Sequence, residues 1–138
     1  METGIKVGDC MKTNLVTVSE NASVMQAAGV MKEKDVNSLL VVDGKGEKSG
    51  LVTSGDLVRR CLASGKVEAT VGSVASKPYV TISPEADISE AARLMGKNKV
   101  KRLVVKSGNS VMGIISQVDI IRITPSLYDL IAHAHNGN

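Results

Sequence analysis

Apolar residues fall along this chain in two rhythms, and each rhythm occurs twice. Val16-Thr17-Val18 and Val80-Thr81-Ile82 alternate apolar and polar positions, the pattern of a short half-buried strand. Behind each, small and aliphatic residues recur at i, i+3, i+4 and i+7. They are Val24, Ala27, Ala28 and Met31 in one stretch and Ile88, Ala91, Ala92 and Met95 in the other. That spacing predicts an amphipathic helix whose Ala/Met stripe turns to a core. Ser23-x-x-Gln26 and Asp87-x-x-Glu90 stand at the heads of these helices as capping boxes, able to satisfy the first free N–H groups. Two apolar strands follow, Leu39–Val42 with Gly50–Thr53, and Leu103–Val105 with Val111–Ser116. Their connections, Asp43-Gly-Lys-Gly-Glu-Lys and Lys106-Ser-Gly-Asn-Ser, carry hairpin turn chemistry. A shorter second helix is expected from near Ser54 or Gln117, burying Leu57, Val58, Cys61 and Leu62 or Ile120 and Ile121.

The doubling is an internal repeat. A shift of 64 lays Val7-Gly8 on Val71-Gly72, Val16-Thr17-Val18-Ser19 on Val80-Thr81-Ile82-Ser83, and Leu39-Leu40-Val41 on Leu103-Val104-Val105. One residue is lost from a loop, and a shift of 63 then lays Gly50-Leu51-Val52-Thr53 on Gly113-Ile114-Ile115-Ser116. The fold expected is α/β, two β-α-β-β-α repeats over residues 7–64 and 71–124, with a tail over 125–138. A unit of about 60 residues buries too little surface to be comfortably stable alone. The two repeats are therefore expected to pack about a pseudo-twofold axis as one globule. Past Pro125 the tail is expected to add a helical turn or two before fraying.

Composition removes several classes. Hydrophobic residues make up 43% and charged residues 22%, as in a packed soluble domain and unlike a disordered chain. The net charge of +3 falls short of a dedicated nucleic-acid binder, and with neither Phe nor Trp there is no platform for stacking bases. Nucleic-acid binding through Arg59-Arg60 and the Lys97–Arg102 run is thus a secondary expectation. No apolar run is long enough to span a membrane, and the start has no apolar signal region. Cys10 and Cys61 sit in unlike contexts and read as reduced, core-type residues of a cytoplasmic protein. No P-loop, metal-protease or Ser/His/Asp pattern is present, so no enzyme is expected. His133 and His135 lie in the tail without a third ligand nearby, so no metal site is expected.

One motif could carry chemistry, and it too is duplicated: Gly50-Leu-Val-Thr53-Ser-Gly-Asp56 and Gly113-Ile-Ile-Ser116-Gln-Val-Asp119. Each hydroxyl falls at a strand end and each Asp in the first turn of the next helix. Such a corner offers free N–H groups and a positive dipole end to a phosphate, and a carboxylate to a ribose diol. The same residues also spell plain capping boxes. The motif alone leaves both readings open; its duplication, each time behind a glycine, favours ligand binding.

With these corners, the Thr-Val-Ser and Thr-Ile-Ser openings, the Ala-Ala-x-x-Met helices and the Leu-Leu-Val-Val-Asp strand, residues 7–124 resemble a tandem pair of cystathionine beta-synthase (CBS) domains, a Bateman module. The resemblance implies a regulatory sensor that binds AMP, ADP or ATP, or in some members NAD or S-adenosylmethionine, in two clefts between the repeats. It also implies a homodimer, a flat disc of four repeats, and a separate effector protein. Carried onto this chain, one cleft combines Thr53 and Asp56 with Thr81, Ile82, Ala86, Val100, Lys101 and Arg102. The other combines Ser116 and Asp119 with Thr17, Val18, Ala22, Val36, Asn37 and Ser38. The Asp is implied to hold ribose hydroxyls and the strand residues to frame the base; Tyr79 beside Thr81 is the one ring placed to stack, and reads first as a strand-edge residue. Lys101 and Arg102 stand where relatives place phosphate-holding cations, while their counterparts Asn37 and Ser38 are neutral; the other reading, that Lys97, Lys99, Lys101 and Arg102 form a solvated basic surface, is less favoured because Arg102 directly precedes a buried strand. A desolvated Arg–phosphate contact contributes about 1.5–3 kcal/mol, or about ten- to a hundredfold in affinity. Phosphorylated adenosine is accordingly expected in the cleft with Asp56, Lys101 and Arg102. An uncharged or cationic adenosine is expected in the other, if that is filled. The alternative is a dimerisation or interaction module with degenerate clefts, against which both aspartates argue.

Overall fold

The structure is a computed structural model that describes residues 2–135, with side chains through residue 132. Its contacts divide into two compact units. The central unit is Leu15–Tyr79, and the terminal unit joins Met1–Asn14 to Val80–Asn138.

In the central unit β1 (Thr17–Ser19) runs parallel to β2 (Ser38–Val42), and β2 pairs antiparallel with β3 (Lys48–Thr53), giving the order β1-β2-β3. Helix α1 (Val24–Lys34) joins the two parallel strands, as such a crossover requires. Ser23 caps it in a complete box with Gln26. It stops where Asp35 turns left-handed at φ 53°, and Val36 N–H closes back onto Met31 O at 3.0 Å. After β3 the chain makes one α turn, α2 (Ser54–Asp56), and continues as a π-helix over Leu57–Leu62. The core gathers Val24, Ala27 and Met31 from α1, Leu39, Val41 and Val52 from the sheet, and Cys61. Helix α3 (Val71–Val74) completes it with both of its valines.

The terminal unit repeats this plan with β4 (Thr81–Ile82), α4 (Ile88–Asn98), β5 (Arg102–Ser107), β6 (Ser110–Ser116) and α5 (Gln117–Ile123). Four features depart from expectation, and the first is that Ala28, Val58 and Leu62, expected on buried helix faces, are exposed. The sequence repeats and the compact units are out of phase. Val7 and Gly8, in the first repeat, donate their N–H groups to Ala86 O (2.8 Å) and Pro84 O (2.9 Å) of the terminal unit. Val71 and Gly72 do the same to Ala22 O (2.8 Å) and Glu20 O (2.9 Å) of the central unit. Each Val-Gly turn thus belongs to the unit that the other repeat mainly builds.

The capping box expected of Asp87 and Glu90 does not form. Asp87 Oδ1 takes the N–H of Ser89 at 2.9 Å, while Glu90 pairs instead with Arg93 at 3.2 Å. The Asp87 carboxylate is turned to the N-terminal arm, accepting from Thr3 N–H (3.1 and 3.0 Å), Thr3 Oγ1 (2.9 Å) and Gly4 N–H (2.8 Å). The tail, finally, is core. After a 3-10 turn at Pro125–Leu127, helix α6 (Tyr128–His135) packs along α4, with Leu127 and Ile131 buried beside Ala92 and Met95. The side chains of His133 and His135, and with them any metal ligation there, lie outside the described residues.

Candidate functional site

Each corner is built where a β-strand ends on a helix. Thr53 is the last residue of β3 and the N-cap of α2. Its Oγ1 accepts the Asp56 N–H at 3.2 Å, and Asp56 Oδ2 accepts the Thr53 N–H at 2.9 Å. In the terminal unit Asp119 Oδ2 accepts both the N–H (2.9 Å) and the Oγ–H (3.0 Å) of Ser116, and Ser116 Oγ accepts the Asp119 N–H at 3.3 Å. The capping reading of the motif is therefore realised twice.

It does not exhaust the motif, because the cap uses one carboxylate oxygen. Across from the other, Asp56 Oδ1, stands Arg60 Nε at 3.9 Å; across from Asp119 Oδ1 stands Lys12 Nζ at 3.9 Å. Both gaps exceed hydrogen-bond length, and both cations are more than half exposed, so these pairs are weak and readily displaced. The carboxylates themselves are withdrawn from water, with side-chain exposures of 14% for Asp56 and 6% for Asp119. A carboxylate largely withdrawn from water and held by its cap, with one oxygen weakly matched, is a prepared acceptor for hydroxyl donors. Sequence reading did not find the two cations. Arg60 was visible at i+4 from Asp56, whereas Lys12 comes from the far end of the chain.

The segment entering the middle strand lies against each corner. Ser38 pairs with Thr53 in the β2–β3 register, and Asn37 O accepts the Ser54 N–H at 2.9 Å. At the equivalent place Arg102 pairs with Ser116, and Lys101 O accepts the Gln117 N–H at 2.9 Å. So Asn37-Ser38 and Lys101-Arg102 occupy matching positions, one pair neutral and the other cationic. Lys101 is exposed and Arg102 half-buried.

The other expected site residues divide by role. Thr17 and Thr81 are exposed on the opening strands, in register with Leu40 and Val104. Val18 packs against the central core, and Ile82 is buried in the terminal one, which leaves Ile82 little but backbone to offer a ligand. Ala22 and Ala86 use their carbonyls to hold the Val-Gly turns. Val36 and Val100 close helix ends through N–H bonds to Met31 O and Met95 O, both 3.0 Å. Tyr79 donates its hydroxyl to Lys48 O. Burial pushes the Cys10 and Cys61 thiols up, away from the thiolate that nucleophilic chemistry needs.

Among the described residues no helix is long and apolar enough to cross a membrane, and no three His, Cys, Asp or Glu are grouped to hold a metal ion. The CBS domain family matches the chain over residues 7–63 and 71–125. CBS domain-containing protein YhcV of Bacillus subtilis is 32% identical over 115 residues, 83% of this chain and 81% of that protein. Two further relatives, each 28% identical, are longer, and the chain spans 64% and 32% of their lengths. Among solved structures, a conserved CBS domain protein of unknown function from Thermoplasma acidophilum, TA0289, superposes with a TM-score of 0.84 at 25% identity. The match covers 96% of this chain and 76% of that one. The CBS domain pair of protein MJ0100, in complex with 5'-methylthioadenosine and S-adenosyl-L-methionine, superposes with a TM-score of 0.79 at 26% identity. It covers 88% of this chain and 97% of that one.

Proposed function

This chain belongs to the CBS domain family, and from that premise we propose that it is a non-catalytic regulatory module that binds adenosine-containing ligands through its two strand-to-helix corners. The observation that carries the reading is the division of labour in Asp56 and Asp119. One oxygen completes the helix cap and the other is left to a cation at 3.9 Å. A ribose diol supplies the two donors such an oxygen accepts, and displaces only a weak, exposed ion pair. The complex of the MJ0100 domain pair with two adenosine compounds supports the ligand class.

Phosphorylated adenosine, AMP, ADP or ATP, goes with Lys101 and Arg102. The neutral Asn37 and Ser38 suit an uncharged or cationic adenosine. Binding shifts the population of module geometries, and a separate effector or the other half of a homodimer reads the new surface. Calorimetric titration with AMP, ADP, ATP, NAD and S-adenosylmethionine tests this, repeated on Asp56→Ala, Asp119→Ala and Lys101→Ala/Arg102→Ala. Micromolar nucleotide binding that Lys101→Ala/Arg102→Ala and one aspartate variant abolish supports a sensor with one dominant site. No heat with any ligand, on folded and ligand-free protein, overturns it and leaves an interaction module.

A further inference from the structure

The helix that follows each corner ends differently in the two units. In the central unit the π-helix closes on backbone donors, with Ala63 N–H to Val58 O (2.8 Å), Lys66 N–H to Cys61 O (2.7 Å) and Gly65 N–H to Leu62 O (3.2 Å). That end therefore does not depend on the side chains of Arg59, Arg60 and Lys66 for its hydrogen bonds. With Ser64, and with Ser73 and Val74 of α3, these three cations line a cavity of about 380 Å³ that lies wholly within the central unit.

Two contacts set the guanidinium groups on its walls. Arg60 Nη1 donates to Val74 O at 2.9 Å, which ties it to α3. The guanidinium of Arg59 folds back over Gly55, within 2.7–3.2 Å of where a Cβ would stand. None of the walls carries a carboxylate, and among the described residues neither Arg59 nor Lys66 is paired with one. Glu68 is exposed and off the walls, and Asp56 Oδ1 stands 3.9 Å from Arg60 Nε. Like charges around one concavity focus its potential on anions.

The fold does not require this cluster, because the other copy lacks it. A shift of 63 lays Arg60, Ser64 and Lys66 on Ile123, Leu127 and Asp129, and a shift of 64 lays Ser73 on Asp9. Of the three cations Arg59 alone has a cationic counterpart, Arg122. We propose that this cavity is a binding site for a polyphosphate chain, inorganic or carried by a nucleotide, that recognises the phosphates and not a base. Two guanidinium groups and an ammonium suit phosphate oxygens, and three cations call for more than one phosphate. With no aromatic ring and one aliphatic residue, Val74, the walls offer a base nothing to stack on. Ser64 Oγ and Ser73 Oγ donate to Arg59 O (3.3 Å) and Thr70 O (2.7 Å), so the cations carry the recognition and the hydroxyls join it only by rotating. This inference goes beyond the adenosine reading and does not rest on it.

The test is calorimetric titration of the full chain with inorganic triphosphate, phosphate, GTP and adenosine. Saturable triphosphate binding is expected, tighter than phosphate and weaker as salt rises. Arg59→Gln/Lys66→Gln should weaken it about tenfold or more, and Lys101→Asn should leave it unchanged. Arg59 and Lys66 are exposed, so their variant should melt like the wild type. Adenosine, which reads the corner aspartates, should bind this variant and the wild type alike, so the two readings fail separately. GTP as tight as triphosphate makes nucleotides a source of the chain, and GTP excluded leaves free polyphosphate; either result supports the site. No saturable triphosphate binding, indifference to Arg59→Gln/Lys66→Gln, or loss in Lys101→Asn overturns it. A single-stranded oligonucleotide that binds more tightly than triphosphate through Arg59 and Lys66 also overturns it, in favour of a nucleic-acid surface.

Discussion

A Cβ placed on Gly113 would lie 2.6 Å from the carbonyl oxygen of Lys12. The backbones meet there, with Lys12 N–H to Ile114 O at 2.9 Å and Ile114 N–H to Lys12 O at 3.0 Å. The glycine that opens the second corner motif is thus required for close approach, and it has no left-handed φ. Gly50 plays the same part against residues 75–77, with contacts of 3.3–3.4 Å that can partly yield. Gly113→Ala is expected to cost about 1–3 kcal/mol by forcing apart the backbone bridge between Lys12 and Ile114, and Gly50→Ala less. Urea unfolding at unchanged slope measures both; equal midpoints for Gly113→Ala and the wild type would contradict the account.

Acid should release the N-terminal arm. The Ser89 N–H, and then the Thr3 donors, hold the Asp87 carboxyl far below its ordinary value of 3.8. A group whose folded pKa is depressed contributes fully above the unfolded pKa and loses that contribution as pH falls toward the folded one. Asp87→Asn should therefore be less stable than the wild type at neutral pH, the gap narrowing as pH drops below about 4. Thermal melts of the two proteins from pH 7 to pH 2 read it directly, and a constant gap would contradict it.

Much of this was legible in the sequence because local chemistry decides it. The Ala/Met stripes, the Leu-Leu-Val strands and the duplicated corners fix strand, helix and sheet order, and each corner formed the cap its residues spell. What could not be read is the partner of a distant group. Asp87 carries the same local cue as Ser23, but Thr3 competes for its carboxylate from the other end of the chain. The shift that aligned Val7-Gly8 with Val71-Gly72 could not say on which unit each turn docks. Leu127, closing the 3-10 turn, and Ile131, on α6, were a readable signal of a core-facing tail, outweighed by the polar residues around them.

Cap and ligand roles of the corner aspartates should separate in Asp56→Asn and Asp119→Asn. The amide keeps a carbonyl oxygen for the Thr53 or Ser116 N–H, so the helix start survives with little loss. The carboxylate charge is gone, and hydrogen bonds to charged acceptors contribute about 1.5–3 kcal/mol. Affinity for an adenosine ligand should then fall about tenfold or more at the occupied corner while the ligand-free melting temperature stays within a few degrees. If affinity and stability fall together, the aspartates serve only the caps.

Exchange of the pre-strand pairs tests what sets ligand charge. Asn37-Ser38 and Lys101-Arg102 hold matching backbone positions beside their corners, so exchanging them changes charge while the backbone contacts remain. Lys101→Asn/Arg102→Ser is expected to weaken AMP and ATP about ten- to a hundredfold and adenosine hardly at all. Because Arg102 is half-buried, the exposed Lys101→Asn alone is the variant that isolates charge from packing. The reverse exchange, Asn37→Lys/Ser38→Arg, should create or strengthen phosphate-dependent binding at the other site. The gain should shrink as salt rises, since partly exposed ion pairs are screened. Calorimetry with adenosine, AMP and ATP at two salt concentrations distinguishes the outcomes. Equal losses for adenosine and ATP would assign Lys101 and Arg102 to the fold of the terminal unit and remove them from phosphate recognition.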